Sequence, residues 1–155
     1  MLKVFYTAFI AIMISQTASA QVEFNEDVDD FTGKDNSHVS VLPEGDMFLL
    51  GFKCLSGNIN VILGHKYLGG DSDGDISVYV KFNDEEVTGP EWYSLQSGNR
   101  ITLFDKRDVD PFVSEAVRSN KVAIRIIDPL DQEVLTANFY LEGLEDQLQK
   151  LKCYP

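Results

Sequence analysis

From residue 47 onward the chain shows a period of two. Phe48, Leu50, Phe52 and Cys54 alternate with Leu49, Gly51 and Lys53, and after Ser56-Gly57-Asn58 the alternation resumes at Ile59, Val61 and Leu63. Successive strand residues face opposite sides, so strand, tight turn, strand predicts a β-hairpin. Ile76, Val78, Val80 and Phe82 alternating with Ser77, Tyr79 and Lys81 form the clearest amphipathic strand. Polar Asn83–Pro90, a short Trp92–Leu95 alternation and Ser97-Gly98-Asn99 lead into a strand at Arg100–Phe104. The period then changes. Asp110-Pro111 has the form of an N-cap followed by Pro at the first helical position, and Phe112/Ala116 and Val113/Val117 sit four apart on one side of a helix ending near Asn120. Val122, Ile124 and Ile126 restore a strand, which Asp128-Pro129 breaks. Leu135, Ala137, Phe139 and Leu141 form the last strand, and Leu144, Leu148 and Leu151 fall on one face of a final helix. Glu145 and Asp146 lie at its start and Lys150 and Lys152 at its end, as the helix dipole prefers. Many short strands with regular turns predict a mainly β fold: an antiparallel β-sandwich or curled sheet with two short helices.

The first twenty residues follow a different rule. Lys3, an apolar run from Val4 to Ile14 and the small-residue site Ala18-Ser19-Ala20 make residues 1–20 a secretory signal peptide. The run is too short for a membrane span, which needs about 20 residues. Residues 21–37 read as an acidic N-terminal extension that packs partly on the domain through Val22, Phe24, Val28 and Phe31, leaving residues 38–155 as a single β-rich domain. Within the extension Asp27, Asp29 and Asp30 are candidates for contact with a cationic partner.

Export bears on the two cysteines outside the signal segment, Cys54 and Cys153. In an oxidising compartment only one intramolecular pairing exists, and it would tie the C-terminal helix back to an early strand. The alternative is two free thiols, one of them catalytic. It is disfavoured because no C-x-x-C occurs and no His lies nearby in sequence.

Composition narrows the partners. The 155 residues hold 25 Asp+Glu against 13 Lys+Arg, a net charge of −12. That balance argues against nucleic acid, whose phosphates need a basic surface, and against anionic lipid. The expected partner is a protein, cationic on this charge argument.

Candidate chemistry is sparse. His38 and His65 stand at strand ends, where surface histidines are common, and no G-x-S-x-G elbow occurs. Two distant His and a disulfide cannot assemble a zinc site. Asp71, Asp73 and Asp75 alternate in a Gly-rich loop as the first ligands of an EF-hand do. However, Ile76 and Phe82 stand where that loop needs Gly and a bidentate Glu, so a solvated turn is preferred over calcium. Asp84, Glu85, Glu86, Asp105, Asp108 and Asp110 could supply a glycosidase pair, though no spacing singles two of them out. No phosphate loop or dinucleotide fingerprint occurs, so no cofactor is expected. Trp92 reads as a core anchor. Tyr79 and Tyr93, whose strand neighbours Val78, Val80 and Trp92 would point inward, are the candidates for an exposed contact.

Several features occur in one order: Phe52-Lys53-Cys54, the strand Ile76–Phe82, the aromatic turn Glu91-Trp92-Tyr93-Ser94, a short helix before Lys121–Arg125, and Ala137–Leu144 followed by the leucine helix and Cys153-Tyr154. Over roughly Met47 to Tyr154 this resembles the VasI-like small exported proteins associated with type VI secretion in Gram-negative bacteria. The resemblance implies a periplasmic, non-enzymatic accessory domain of mostly β structure and carries over no catalytic residues. The acidic segment before Val39 and the Asp71–Asp75 loop have no counterpart in it. The reading is therefore an exported accessory or binding protein. The alternatives are an acidic inhibitor of a basic cell-wall hydrolase of the lysozyme type, or a small carboxylate-dependent glycan hydrolase.

Overall fold

The computed structural model describes residues 21–43, 48–65, 77–89, 93–94, 100–103, 105–127 and 134–155. Residues 1–20, expected to be a signal peptide, and Asp71, Asp73, Asp75 and Trp92 lie outside the described residues, and of Tyr93 only the strand position is described. Nine strands and two helices occupy the described residues: β1 (Gln21–Asn25), β2 (His38–Leu42), β3 (Phe48–Leu55), β4 (Asn58–His65), β5 (Ser77–Phe82), β6 (Tyr93–Ser94), β7 (Arg100–Leu103), α1 (Lys106–Ala116), β8 (Lys121–Ile127), β9 (Val134–Tyr140) and α2 (Leu144–Leu148). The strands form two antiparallel sheets, one of six strands in the order β1-β2-β3-β4-β7-β6 and one of three in the order β5-β8-β9.

The period of two explains how the sheets meet. Registered pairing lines up Phe24, Val39, Phe52, Val61 and Leu103 across five strands, and Val22, Val41, Leu50, Leu63 and Ile101 beside them. The small sheet answers with the rows Val80–Ile124–Ala137 and Phe82–Val122–Phe139. These rows join the apolar faces of both helices in one core. Removing such a side chain from water contributes about 1.5–3 kcal/mol each, which is why the alternation fixes the register. The β3–β4 turn is tight: Ser56 and Gly57 both have positive φ (52° and 81°), as a two-residue hairpin turn with the strands' twist requires.

Residues 21–37 differ from the expected extension. β1 pairs with β2 from Gln21↔Leu42 to Asn25↔His38, and the hairpin continues through Val28↔Asp35 to a tip at residues 30–33. This segment is the first strand of the large sheet together with its turn. Val22 and Phe24 pack against the core, whereas Val28 and Phe31 are exposed. The acidic composition masked a short alternation that an edge strand with one wet face allows.

The helices also differ in detail. α1 begins five residues before the expected start. Asp105 is its N-cap, accepting a hydrogen bond from the Arg107 N–H, and Pro111 lies inside the helix, where the ladder loses one donor. The apolar stripe Val109–Phe112–Val113–Ala116 outweighs that loss because all four residues are buried. α2 is a short turn of helix entered through Gly143 at φ 80°, a left-handed position suited to glycine. Leu144, Leu148 and Leu151 are all buried, as their spacing predicted. Lys150 and Lys152 lie beyond the helix and reach other partners.

Asp105 provides a pH test. Its carboxyl is held at about 2, below the usual 3.8, first by the Arg107 side chain and then by the Arg107 backbone N–H. A folded-state value below the unfolded one means the unfolded chain binds more protons. The contribution is thus complete above about pH 4 and is lost as pH falls through about 2. Asn caps a helix as well as Asp, so Asp105→Asn removes only the charge. Thermal melts should show a small deficit for Asp105→Asn at pH 7, small because the pair is solvated, that closes between about pH 4 and 2. A deficit independent of pH would assign the effect to the cap geometry instead.

Candidate functional site

Three regions bring together residues that sequence reasoning singled out. The first is the staple. Cys54, near the end of β3, and Cys153 are joined by a disulfide with Cα atoms 5.8 Å apart, at a sequence separation of 99. Among the described residues there is no free thiol. Around the bridge the β1–β2 hairpin meets the C-terminal segment: Lys152 pairs with Asp35 at 2.7 Å, and the Lys150 ammonium lies 5.7 Å from the centre of the Phe24 ring. The Lys152 side chain, followed by the Ser37 hydroxyl, holds the Asp35 carboxyl far below its ordinary value. A cavity of about 570 Å³ opens between Phe24, Glu26, Lys34, the bridge and Lys150.

The second region is the hairpin tip. The Asp29 carboxylate accepts hydrogen bonds from the N–H groups of Phe31 (3.0 Å) and Thr32 (2.7 Å), and the Gly33 N–H bonds back to the Asp29 carbonyl (2.8 Å). The bonds to its carboxylate, chiefly those from Thr32 and then Phe31, lower its pKa. Asp29 is therefore a turn-building residue, while Asp27 and Asp30 are exposed beside it. The turn presents Phe31 with its side chain fully exposed (101%). Sequence reasoning placed Phe31 against the body; the Asp29 turn points it away.

The third region is the outer face of the small sheet. Alternation puts Tyr79 of β5, Arg125 of β8 and Thr136 of β9 in one cross-strand row, and the Arg125 Nε–H reaches the Thr136 hydroxyl at 3.3 Å. Lys81, Ala123 and Asn138 form the next row. β5, β8 and β9 contain no Asp or Glu, although the whole chain carries 25. Lys81, Lys121 and Arg125 are therefore the charged residues these three strands carry, while Asp84, Glu85 and Glu86 lie in the exposed turn that follows β5. After β5 the chain doubles back so that Thr88 bonds both ways with Val80, bringing the exposed Val87 beside the sheet. Between Tyr79, Val87, Ala123, Arg125 and Ile127 lies a hollow of about 280 Å³. Tyr79, Val134 and Tyr140 are 41%, 55% and 40% exposed. No signal in the linear sequence reveals this charge segregation, because it depends on which strands become neighbours.

The catalytic candidates fare differently. His65 is buried (3% exposed) with its ring 4.3 Å from that of Phe48, so it packs as a core residue and not as the surface histidine expected at a strand end. Asp110 pairs with Lys106, and Asp105 is shifted opposite to the direction a general acid needs. Among the described residues no group of three His, Cys, Asp or Glu side chains is placed to hold a metal ion, and no helix is long and apolar enough to cross a membrane. No protein-family model, curated protein or solved structure matches this chain.

Proposed function

We propose that this chain is an exported, non-catalytic binding or accessory protein of the bacterial periplasm, with a place beside a secretion apparatus as the VasI-like resemblance implies. The observation that carries the reading is the uncovered outer face of the small sheet. There Tyr79, Val87, Val134 and Tyr140 expose apolar and aromatic surface around Arg125 on a rigid, disulfide-stapled sandwich. Exposed aromatics beside Arg are the residue types that dominate protein–protein contacts, and rigid strands hold them at low entropic cost. The bridge supports export, since structural disulfides persist in oxidising compartments.

The test is affinity capture from a periplasmic extract with the tagged mature protein, washed at rising salt. A stoichiometric protein retained by wild type and lost with Tyr79→Ala/Arg125→Ala is the expected result. Recovery of secretion-apparatus components would select the accessory role. Recovery of a basic hydrolase lost on charge reversal of Asp27 and Asp30 would select the inhibitor role, which the exposed acidic hairpin tip favours. Hydrolysis of peptidoglycan or other glycans by the purified protein, abolished by a single carboxylate substitution, would overturn the non-catalytic reading.

A further inference from the structure

We propose that a second copy of this chain docks on the small sheet, seating the Phe31 tip of its β1–β2 hairpin in the hollow between Tyr79, Val87 and Ile127. The inference rests on reading that face as a binding surface and names its occupant. Two complementary surfaces occur on one molecule. The tip offers a phenyl ring fully in solvent on a turn held by four hydrogen bonds from and to Asp29, flanked by the exposed carboxylates of Asp27 and Asp30. The hollow offers about 280 Å³ of largely apolar lining, with Arg125 and Lys81 on strands that contain no carboxylate. Ring to hollow and acid to base match together. Phe31 is entirely exposed, so it does not fill the hollow of its own chain.

The turn is ordered before docking, which removes much of the ordering cost that a mobile loop would incur. Tip and hollow are different surfaces, so a two-fold pair uses each contact twice while a single contact repeated runs head to tail. Association then closes as a reciprocal pair, two tips in two hollows, or continues head to tail. The net charge of −12 makes distant approach repulsive. At about 0.15 M salt the Debye length is about 8 Å, which screens that repulsion while leaving the contact pairs.

Sedimentation velocity of the disulfide-intact mature protein at about 0.15 M salt, over a wide concentration range, tests this. Wild type should shift with concentration from monomer to dimer or larger. Phe31→Ala should weaken association by roughly tenfold or more, as loss of a central aromatic anchor does. Arg125→Glu should abolish it, and Asp30→Arg combined with Arg125→Glu should restore it. Phe31 is fully exposed and Asp30 is exposed, and Lys81→Glu gives a second charge reversal should Arg125→Glu disturb the sheet. A monomer at every concentration, or association unchanged by Phe31→Ala, overturns the proposal. If the protein stays monomeric but captures a different partner through Tyr79 and Arg125, the second copy is ruled out while the binding face stands. If Tyr79 and Arg125 variants change neither assay, both readings fall.

Discussion

Phe52→Ala should lower the stability of the protein by about 3–5 kcal/mol. Phe52 is wholly buried on β3, flanked in its row by Val39 and Val61. Its ring centre lies 6.4 Å from that of Phe112 on α1, which lies 5.2 Å from that of Phe82 on β5. The three rings thus run from the large sheet through the helix to the small sheet. Truncating the first removes its buried surface and leaves a cavity. The neighbours cannot close that cavity without moving strands whose register is set by the other paired rows. Urea denaturation should show a lower midpoint with an unchanged slope, the signature of lost stability without altered compactness of the unfolded chain. Phe31→Ala is the matched control: the same substitution at a fully exposed position should stay within about 0.5 kcal/mol. Equal effects at the two sites would mean the core is not built around this aromatic chain.

Opening the Cys54–Cys153 bridge should be nearly as costly. A loop of this length restricts the unfolded chain by about 4.7 kcal/mol in the chain-entropy account, an upper figure because residual structure in the unfolded state reduces it. The loss is also local. Cys153 lies between Leu151, which is buried, and Tyr154, whose phenol burial keeps protonated to higher pH than usual. Release of the bridge frees this segment, and with it the Lys152–Asp35 pair that ties the tail to the hairpin. The Cys54→Ala/Cys153→Ala variant, compared with wild type under non-reducing conditions, should unfold at clearly lower urea. It should also show faster amide exchange at Leu148–Tyr154 and along β1 than in the remaining strands. Identical denaturation curves would show that packing alone holds the tail.

Much of this architecture was legible because burial of one sheet face leaves its mark at every second residue. β3, β4, β5, β8 and β9 were readable for that reason, and the Ser56-Gly57 turn because only a few residues accept positive φ in succession. The pairing of Cys54 with Cys153 was legible because two cysteines allow a single intramolecular pairing. Three things were not legible. The start of α1 was obscured because Asp110-Pro111 imitates a helix start, whereas Asp105 with the Val109 stripe set it a turn and more earlier. β1 was hidden by its acidic surroundings, since an edge strand needs only Val22 and Phe24 on its inner side. The outer face of the small sheet could not be seen at all. Lys81 and Arg125 are 44 residues apart in sequence and become neighbours only through the register Lys81↔Ala123 and Tyr79↔Arg125. Tyr79 was readable as outward-facing from its own strand, but the cationic company it keeps was not.

The position of the second sulfur has a consequence for biogenesis. Cys153 emerges 99 residues after Cys54, behind every strand from β4 to β9. A chain synthesised from its N-terminus therefore carries a solitary thiol near the end of β3 until residue 153 is added, and no premature intrachain mispairing is open to it. Intrachain oxidation can only follow addition of the leucine segment, so a product that stops short of residue 153 is left with an unpaired sulfur.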